Sequence, residues 1–378
     1  MIYADNAATT KLDPLALEAM LPFFQTHYGN GSSLYSFSRS VKKALVNSRN
    51  IIAASIGANP EEIFFTSGGT ESNNWAIKGI SETRKSYGKH IITSSIEHHA
   101  VLNPCVRLEQ QGYAITYLPV DSFGNISKNE LDKAIRPETI GISIMAANNE
   151  IGTLLDIPEF TGIAKKYKIP FHTDAVQAVG HVPIDVNTMG IDLLSASAHK
   201  FNGPKGVGFL FIRSGTSLAN LLDGGMQENG NRPGTENIAG IVGMAVALKN
   251  NCDMMIQNTE KLVNLVNLFK QKIKNKIPSV VFNGDEKLSL PGHISLSIPG
   301  ISGEALLHFL DLKGIAISTG AACNLNSLGS SHVLKAIDLN EILSKGTIRI
   351  SFGKSNSGSD SITIAKSIVN YVDKILCN

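Results

Sequence analysis

The sequence predicts an α/β protein in which a larger unit, built on a mostly parallel and buried sheet, is joined to a smaller α+β unit. Three observations carry this prediction. The chain has 378 residues, more than one hydrophobic core usually holds, and an apolar fraction of 43% that is ordinary for a folded protein. Apolar, β-rich runs alternate with helix-like stretches over the first two thirds of the chain. Beyond about residue 255 the alternation gives way to shorter strands and helices.

The strand candidates of the larger unit are EIFFTSGG, KHIITSS, IGISIMAA, IPFHTDA, IDLLSASA and GVGFLFI. In most of them apolar residues stand side by side rather than at every second residue, the pattern of strands covered on both faces. Between or before them lie ALEAMLPFF, TESNNWAIKGI, VLNPCVRLEQQ and IPEFTGIAKKY, whose spacing is helical. GIVGMAVALK and TEKLVNLVNLFKQKI continue as strong helices. SVVFNG, HISLSIPG, GEALLHFLDLKG, IAIST, HVLKAI, TIRISFG and SITIAKSIVNYVDKIL then build the smaller unit. The expected division assigns residues 15–255 to the large unit, and 1–14 with 256–378 to the small one. No low-complexity linker separates them, so the two should pack directly on each other.

Charge and motif content exclude several functions. Thirty-four Lys plus Arg against 32 Asp plus Glu leave a net charge of +2, with no basic stripe interleaved with aromatics, so direct nucleic-acid binding is not expected. The stretch MIYADNAATTKLDP lacks the basic and apolar regions of a secretion signal, and no run approaches eighteen apolar residues. The expected location is the cytoplasm. Cys105, Cys252, Cys323 and Cys377 are widely spaced and expected as free thiols. GPKGVG has its glycines in the wrong order for a dinucleotide fingerprint, and GKS at 353–355 has Ile348 where a phosphate-binding loop needs its first glycine. No H-E-x-x-H or Cys/His cluster occurs, so no metal is expected.

What remains is a series of polar residues at predicted strand ends, where open α/β sheets bind ligands. FFTSGGTESNN turns from strand to helix through Gly68 and Gly69, leaving the amides of Gly69 and Thr70 for an anion such as phosphate, or merely for a capped turn. After HIITSSI come Glu97, His98 and His99; an imidazole here can lie on an aromatic cofactor ring or serve a loop hydrogen bond. IMAANNE places Asn148 and Asn149, either as donors to a phenolate oxygen or as turn residues. Asp174 closes IPFHTDA with Gln177 three residues on, and a carboxylate so placed needs a cation: a protonated pyridine nitrogen, as in pyridoxal 5'-phosphate (PLP), or a buried Arg or Lys. LLSASAHKFNGPKGVG supplies Ser197, His199 and Lys200, and a partly desolvated lysine is suited to Schiff-base formation.

Taken together with YADNAATT, SSIEHHAVL, NNEIG, HTDAVQAVGHVPID, GGMQENGNRPGTEN, STGAAC before SSHVLKA, and TIRISFGK, these motifs cover essentially the whole chain. In that order they resemble the class V aminotransferase-like PLP enzymes, and within them the cysteine desulfurases of the NifS/IscS type. The resemblance implies the fold type I of PLP-dependent transferases, a large domain with a mostly parallel mixed sheet plus a smaller α+β domain. It implies that Lys200 carries PLP as a Schiff base, Asp174 pairs with the pyridine nitrogen, and His98 stacks on the ring and moves protons. Asn149 and Gln177 would address the phenolic oxygen, and Gly69, Thr70, Ser197 and His199 the phosphate. Thr235 would reach the phosphate of the partner subunit in a homodimer. Arg349 would clamp the carboxylate of L-cysteine, its alternative being an interdomain salt bridge, and Asn149 would also contact substrate.

Cys323 matches the family's persulfide-carrying residue. The implied reaction takes sulfur from L-cysteine, leaving L-alanine and a persulfide on Cys323 for a sulfur acceptor or scaffold protein, in Fe–S cluster assembly, tRNA thiolation or a related pathway. A selenocysteine lyase, another class V reaction and a non-catalytic sulfur-acceptor scaffold are the alternatives. The sequence departs from the family pattern at Gly31, Tyr35 and Ser38 of NGSSLYSFS, at Leu155, at Asn324 and in GKSN. None of these removes an expected PLP contact or the nucleophile.

Overall fold

The computed structural model describes residues 1–319 and 331–376. Cys323, Asn324 and Cys377 lie outside the described residues. The main sheet is formed by β2 (Ile63–Thr66), β3 (His90–Ser94), β4 (Ala114–Leu118), β5 (Thr139–Ser143), β6 (Phe171–Asp174), β7 (Leu193–Ser197) and β8 (Gly208–Ile212), in the order β2-β8-β7-β6-β5-β3-β4. Neighbours from β7 to β4 are parallel, whereas β8 runs antiparallel to both β7 and β2. Reversal at both sides of β8 leaves β2 pointing the same way as β3, β5, β6 and β7. The carboxyl ends of those five strands therefore share one edge of the sheet, and the residues that follow them can converge there.

Burial on both faces explains the continuous apolar runs. All residues of β3, β5 and β7 are buried, and Phe171, Phe209 and Phe211 are fully covered. The covering helices are α2 (Arg39–Ile56), α3 (Gly69–Thr83), α4 (His99–Glu109), α5 (Lys128–Ala134), α6 (Ile157–Lys166) and α7 (Ile238–Asp253), with α1 (Pro14–Gln25) packed on α7. Asp13 starts α1 by accepting from the Leu15 amide ahead of Pro14, a strong start signal because Pro needs no amide partner at that position. The helix α2 and the strand β4 are not among the elements anticipated. β4 occupies the sheet edge and is only partly buried.

A second core assembles from the C-terminal part. Helix α8 (Met255–Lys274), β9 (Val281–Asn283), β10 (His293–Ser297), α9 (Gly303–Asp311), β12 (Ser318–Thr319), β13 (Thr347–Ser351) and α12 (Gly358–Leu376) enclose Phe269, Leu296, Leu306, Ile348, Ile350 and Ile368. Here the sheet order is β12-β13-β10-β9. IAIST, anticipated as one strand, is split into β11 (Ile315–Ala316), which pairs with β1 (Ile2–Tyr3), and β12, which pairs with β13. Helix α10 (His332–Ala336) instead packs Val333 and Leu334 into the larger core, while α11 (Glu341–Lys345) leads into β13. Among the described residues no helix is long and apolar enough to cross a membrane. No group of three or more His, Cys, Asp or Glu side chains there could hold a metal ion.

Candidate active site

The shared sheet edge opens into a cavity of about 390 Å³ whose lining includes Gly69, Thr70, Asn73, His98, Asn149, Asp174, Gln177, Ser197, His199, Lys200 and Arg349. Every expected site residue except Cys323 and Thr235 is therefore gathered in one place, from five strand ends and from β13. Thr235 sits exposed on the loop before α7, outside the cavity lining. The final side of the cavity is closed by the N-terminal segment, with Asp5, Ala7 and Ala8 in the wall.

One end of the cavity is built for an anion. Gly68 has φ +147°, a backbone setting few side chains tolerate, and turns β2 into α3. A Cβ on Gly69 would meet Val176 Cγ2 at 2.6 Å, so only glycine lets the helix start this close to the strand ends. The first amides of α3 then face the cavity without intrahelical acceptors, at the positive end of the helix. Ser197 and His199 flank them. His199 Nδ1 lies 3.1 Å from Thr9 Oγ1, and burial holds its imidazole down at about 4, so it is neutral there at neutral pH.

The floor carries a carboxylate. Asp174 is 5% exposed; its Oδ2 accepts from Asn73 Nδ2 at 2.6 Å and its Oδ1 from the Val176 amide at 3.0 Å. Both bonds stabilise and orient an acceptor that faces the cavity. Asn73 escaped the sequence reading, although it stands four residues after Gly69 in TESNN and so on the same helix face. Its own Oδ1 is buried without a partner. Beside Asp174, His98 Nδ1 accepts from the Ala100 amide at 3.0 Å, which makes it the N-cap of α4. Burial lowers the affinity of His98 for a second proton, so its single proton resides on Nε2.

Lys200 follows β7 in a short 3₁₀ turn, Ala198–Lys200. That turn is held by the Thr10 amide and hydroxyl, both donating to the His199 carbonyl at 2.9 Å, and by His181 Nε2 at 2.9 Å from the Lys200 carbonyl. Asn202 takes φ +63°, a setting Asn adopts more readily than most residues, and sends its amide to the Lys11 carbonyl. The Lys200 ammonium donates to the carbonyls of Ala7 at 2.7 Å and Ala8 at 2.9 Å. Gln177 Nε2 also donates to the Ala7 carbonyl, at 2.9 Å. YADNAATT thus contributes backbone acceptors to the site, which composition alone does not reveal.

Arg349, 3% exposed, reaches the cavity from the second core. Its Nη1 donates to the Asn149 carbonyl at 2.9 Å and its Nη2 pairs with Asp5 Oδ1 at 2.8 Å. Nε is buried with no partner. That N–H is enclosed by protein, while Arg349 as a residue lines the cavity, where a guanidinium suits the carboxylate of a small ligand. Asp5 and Arg349 both fall in the expected smaller unit, so their ion pair is not the interdomain bridge named as the alternative.

Residues 2–361 match the model of the class-V aminotransferase family. The chain belongs to that family. A cysteine desulfurase IscS of Dictyoglomus turgidum is 50% identical over 359 residues, covering 95% of this chain and 91% of its own length. A solved NifS-like protein superposes with a TM-score of 0.94 at 36% identity, covering 99% of both chains. A structure described as SspA in complex with cysteine superposes with a TM-score of 0.85 at 38% identity, covering 94% of this chain and all of its own. The cofactor of class-V aminotransferases and cysteine desulfurases is PLP. The residues present fit it: an amide-lined anion end, an oriented carboxylate for a pyridinium, and the amine of Lys200 in the same cavity.

Proposed function

We propose that the protein is a PLP-dependent cysteine desulfurase, converting L-cysteine to L-alanine with transfer of sulfur to Cys323. The observation that carries the reading is the convergence of Lys200, Asp174, His98 and Arg349 on one cavity in a chain of this family. In this reading Gly69, Thr70, Ser197 and His199 hold the phosphate, Asp174 the pyridine nitrogen, and Asn149 and Gln177 the phenolic oxygen. PLP, when bound, supplies an aldehyde for the amine and an electron-withdrawing ring that accepts electrons released from the substrate.

The protein's own residues do the rest. Lys200 would anchor the cofactor through its amine, and its place in the cavity would let that amine move protons at the substrate's Cα. His98, with its proton on Nε2, is the acid or base beside it. Arg349, in the cavity lining, pairs with the substrate carboxylate and fixes its orientation. The Cys323 thiolate then attacks the substrate sulfur. An S–S bond forms as the C–S bond breaks, the bonding pair passes to the carbon skeleton, and a proton delivered there completes alanine; the sulfur is oxidised as the carbon is reduced. In the sequence Cys323 stands four positions after Thr319, which follows Ser318 of the cavity lining.

The assembly belongs to the same proposal. Helix α1 buries Ala16 and Met20 within the chain but leaves Leu17, Leu21 and Phe24 exposed, Phe24 by 63%, with Tyr28 and Leu34 exposed nearby in the sequence. Such an apolar face suits a second copy of the chain, which would also bring Thr235 to the partner's phosphate site. Residues 15–255 act as the PLP-binding domain, and 1–14 with 256–378 as the smaller domain. A cytoplasmic location and a protein sulfur acceptor complete the reading. Incubation of the PLP-loaded protein with L-cysteine tests it: alanine and a persulfide on Cys323 should appear in equal amounts during the first turnover, and absence of alanine would refute it.

A further inference from the structure

Where the described chain resumes, Ser331 and His332 are seated on two strand-end loops that themselves carry site residues. Ser331 Oγ donates to Glu150 Oε2 and accepts from the amides of Val333 and Leu334 at 3.0 and 3.3 Å. With both amides pointing at the hydroxyl oxygen, its proton has one direction left, toward the carboxylate. His332 Nε2 donates to the Glu97 carbonyl at 2.9 Å, directly before His98, and its ring packs on that of His99 with centroids 5.0 Å apart. Val333 and Leu334 are buried in the larger core. This end of the chain is consequently fixed against the site rather than against the smaller core.

Glu150 is itself held from several sides. Asn148 Oδ1 accepts from the amides of Glu150 and Ile151 at 2.8 and 3.0 Å, and His293 Nε2 lies 3.0 Å from the Glu150 carbonyl. The preceding carbonyl, that of Asn149, is the acceptor for Arg349 Nη1. Glu150 is 9% exposed and outside the cavity lining, so it is not placed to touch substrate or cofactor. Burial pushes its carboxyl up to about 7, while Ser331 and Arg349 favour the charged form.

The geometry points to Glu150 and Ser331 as a positioning pair for sulfur transfer: their hydrogen bond fixes the chain eight residues after Cys323 to the same turn that holds Arg349. The inference rests on the desulfurase reading. It assigns the pair to the step in which the Cys323 thiolate takes the sulfur, and not to cofactor loading or to cysteine binding.

A double-mutant cycle on the PLP-loaded full chain tests this, with Glu150→Ala, Ser331→Ala and the double variant followed in single turnovers with L-cysteine. Cofactor absorbance and the concentration dependence of the cysteine-induced spectral change should match wild type in all three. Alanine and Cys323 persulfide should form about tenfold more slowly in each single variant and no more slowly in the double variant. Glu150→Gln, which keeps an acceptor for the Ser331 hydroxyl and leaves the α10 cap intact, should recover most of the rate. A full rate in either alanine variant overturns the proposal, as do losses that multiply in the double variant, or a parallel loss of cofactor or cysteine binding. A wild-type chain that yields no alanine at all refutes the desulfurase reading instead, and this inference with it.

Discussion

At the scale of the residue, the cavity is organised by charges and donors whose partners are only partly supplied by the chain. Arg349 spends two nitrogens on Asn149 and Asp5 and keeps Nε unmatched. Arg349→Ala should therefore weaken cysteine binding by about 2–4 kcal/mol, the scale of losing a buried charged hydrogen bond. Titration of the cysteine-induced spectral change checks this, and Arg349→Lys should restore little, because one ammonium cannot hold Asp5 and the Asn149 carbonyl and also serve the substrate carboxylate. Lys200→Ala should leave a protein that borohydride cannot label with the cofactor; labelling at wild-type levels would move the anchoring role elsewhere. Cys323→Ser should retain the cofactor spectrum yet yield neither sulfide nor alanine from cysteine, each measured per mole of enzyme.

At the scale of the element, the strand end after β3 pairs two buried groups of different character. Glu97 is fully covered; its Oε1 accepts from Ser94 at 2.6 Å and from the Met145 amide at 2.9 Å, while Oε2 has no partner. Burial, against the opposing pull of these two donors, raises its carboxyl from 4.5 to about 8, with Asp174 adding to the rise. A folded value above the unfolded one favours folding fully below about pH 4.5, and that contribution is lost as pH rises through 8. Wild type should thus lose stability between pH 5 and 8 relative to Glu97→Gln, by on the order of a few kcal/mol. Urea unfolding followed by the fluorescence of Trp75, the single tryptophan, measures the difference; parallel pH profiles would show that Glu97 is ionised in the folded protein. A neutral Glu97 matters to the site, because a second carboxylate there would compete with Asp174 for any cation.

At the scale of the whole molecule, α1 and the proposed second copy predict coupled effects. Leu17→Glu with Phe24→Glu should shift the protein toward monomer in sedimentation, and should also weaken PLP binding if Thr235 completes the partner's phosphate site. Thr235→Ala should weaken PLP binding while leaving the sedimentation unchanged. A monomeric double variant that binds PLP as tightly as wild type would refute the shared site.

Much of this architecture was legible in the chain. The apolar runs that became β2, β3, β5, β6, β7 and β8 marked strands covered on both faces, and the polar residues following the first five of them marked a ligand-facing edge. Motif order made the family recognisable, and with it Lys200, Asp174, His98 and Arg349 as candidates. Helix α2 left a weaker signal, because partial exposure relaxes the demand for apolar residues, whereas edge strand β4, AITYL, is as apolar as the central strands and went unread. What only the tertiary structure decided is pairing across long separations: Asn73 beneath Asp174, Asp5 beside Arg349, the Ala7 and Ala8 carbonyls at Lys200, and Glu150 under Ser331. Sequence determines which groups can donate, accept or carry charge, but a buried hydrogen bond depends on where the backbone brings two such groups within about 3 Å, and that is set by the packing of the two cores around one cavity.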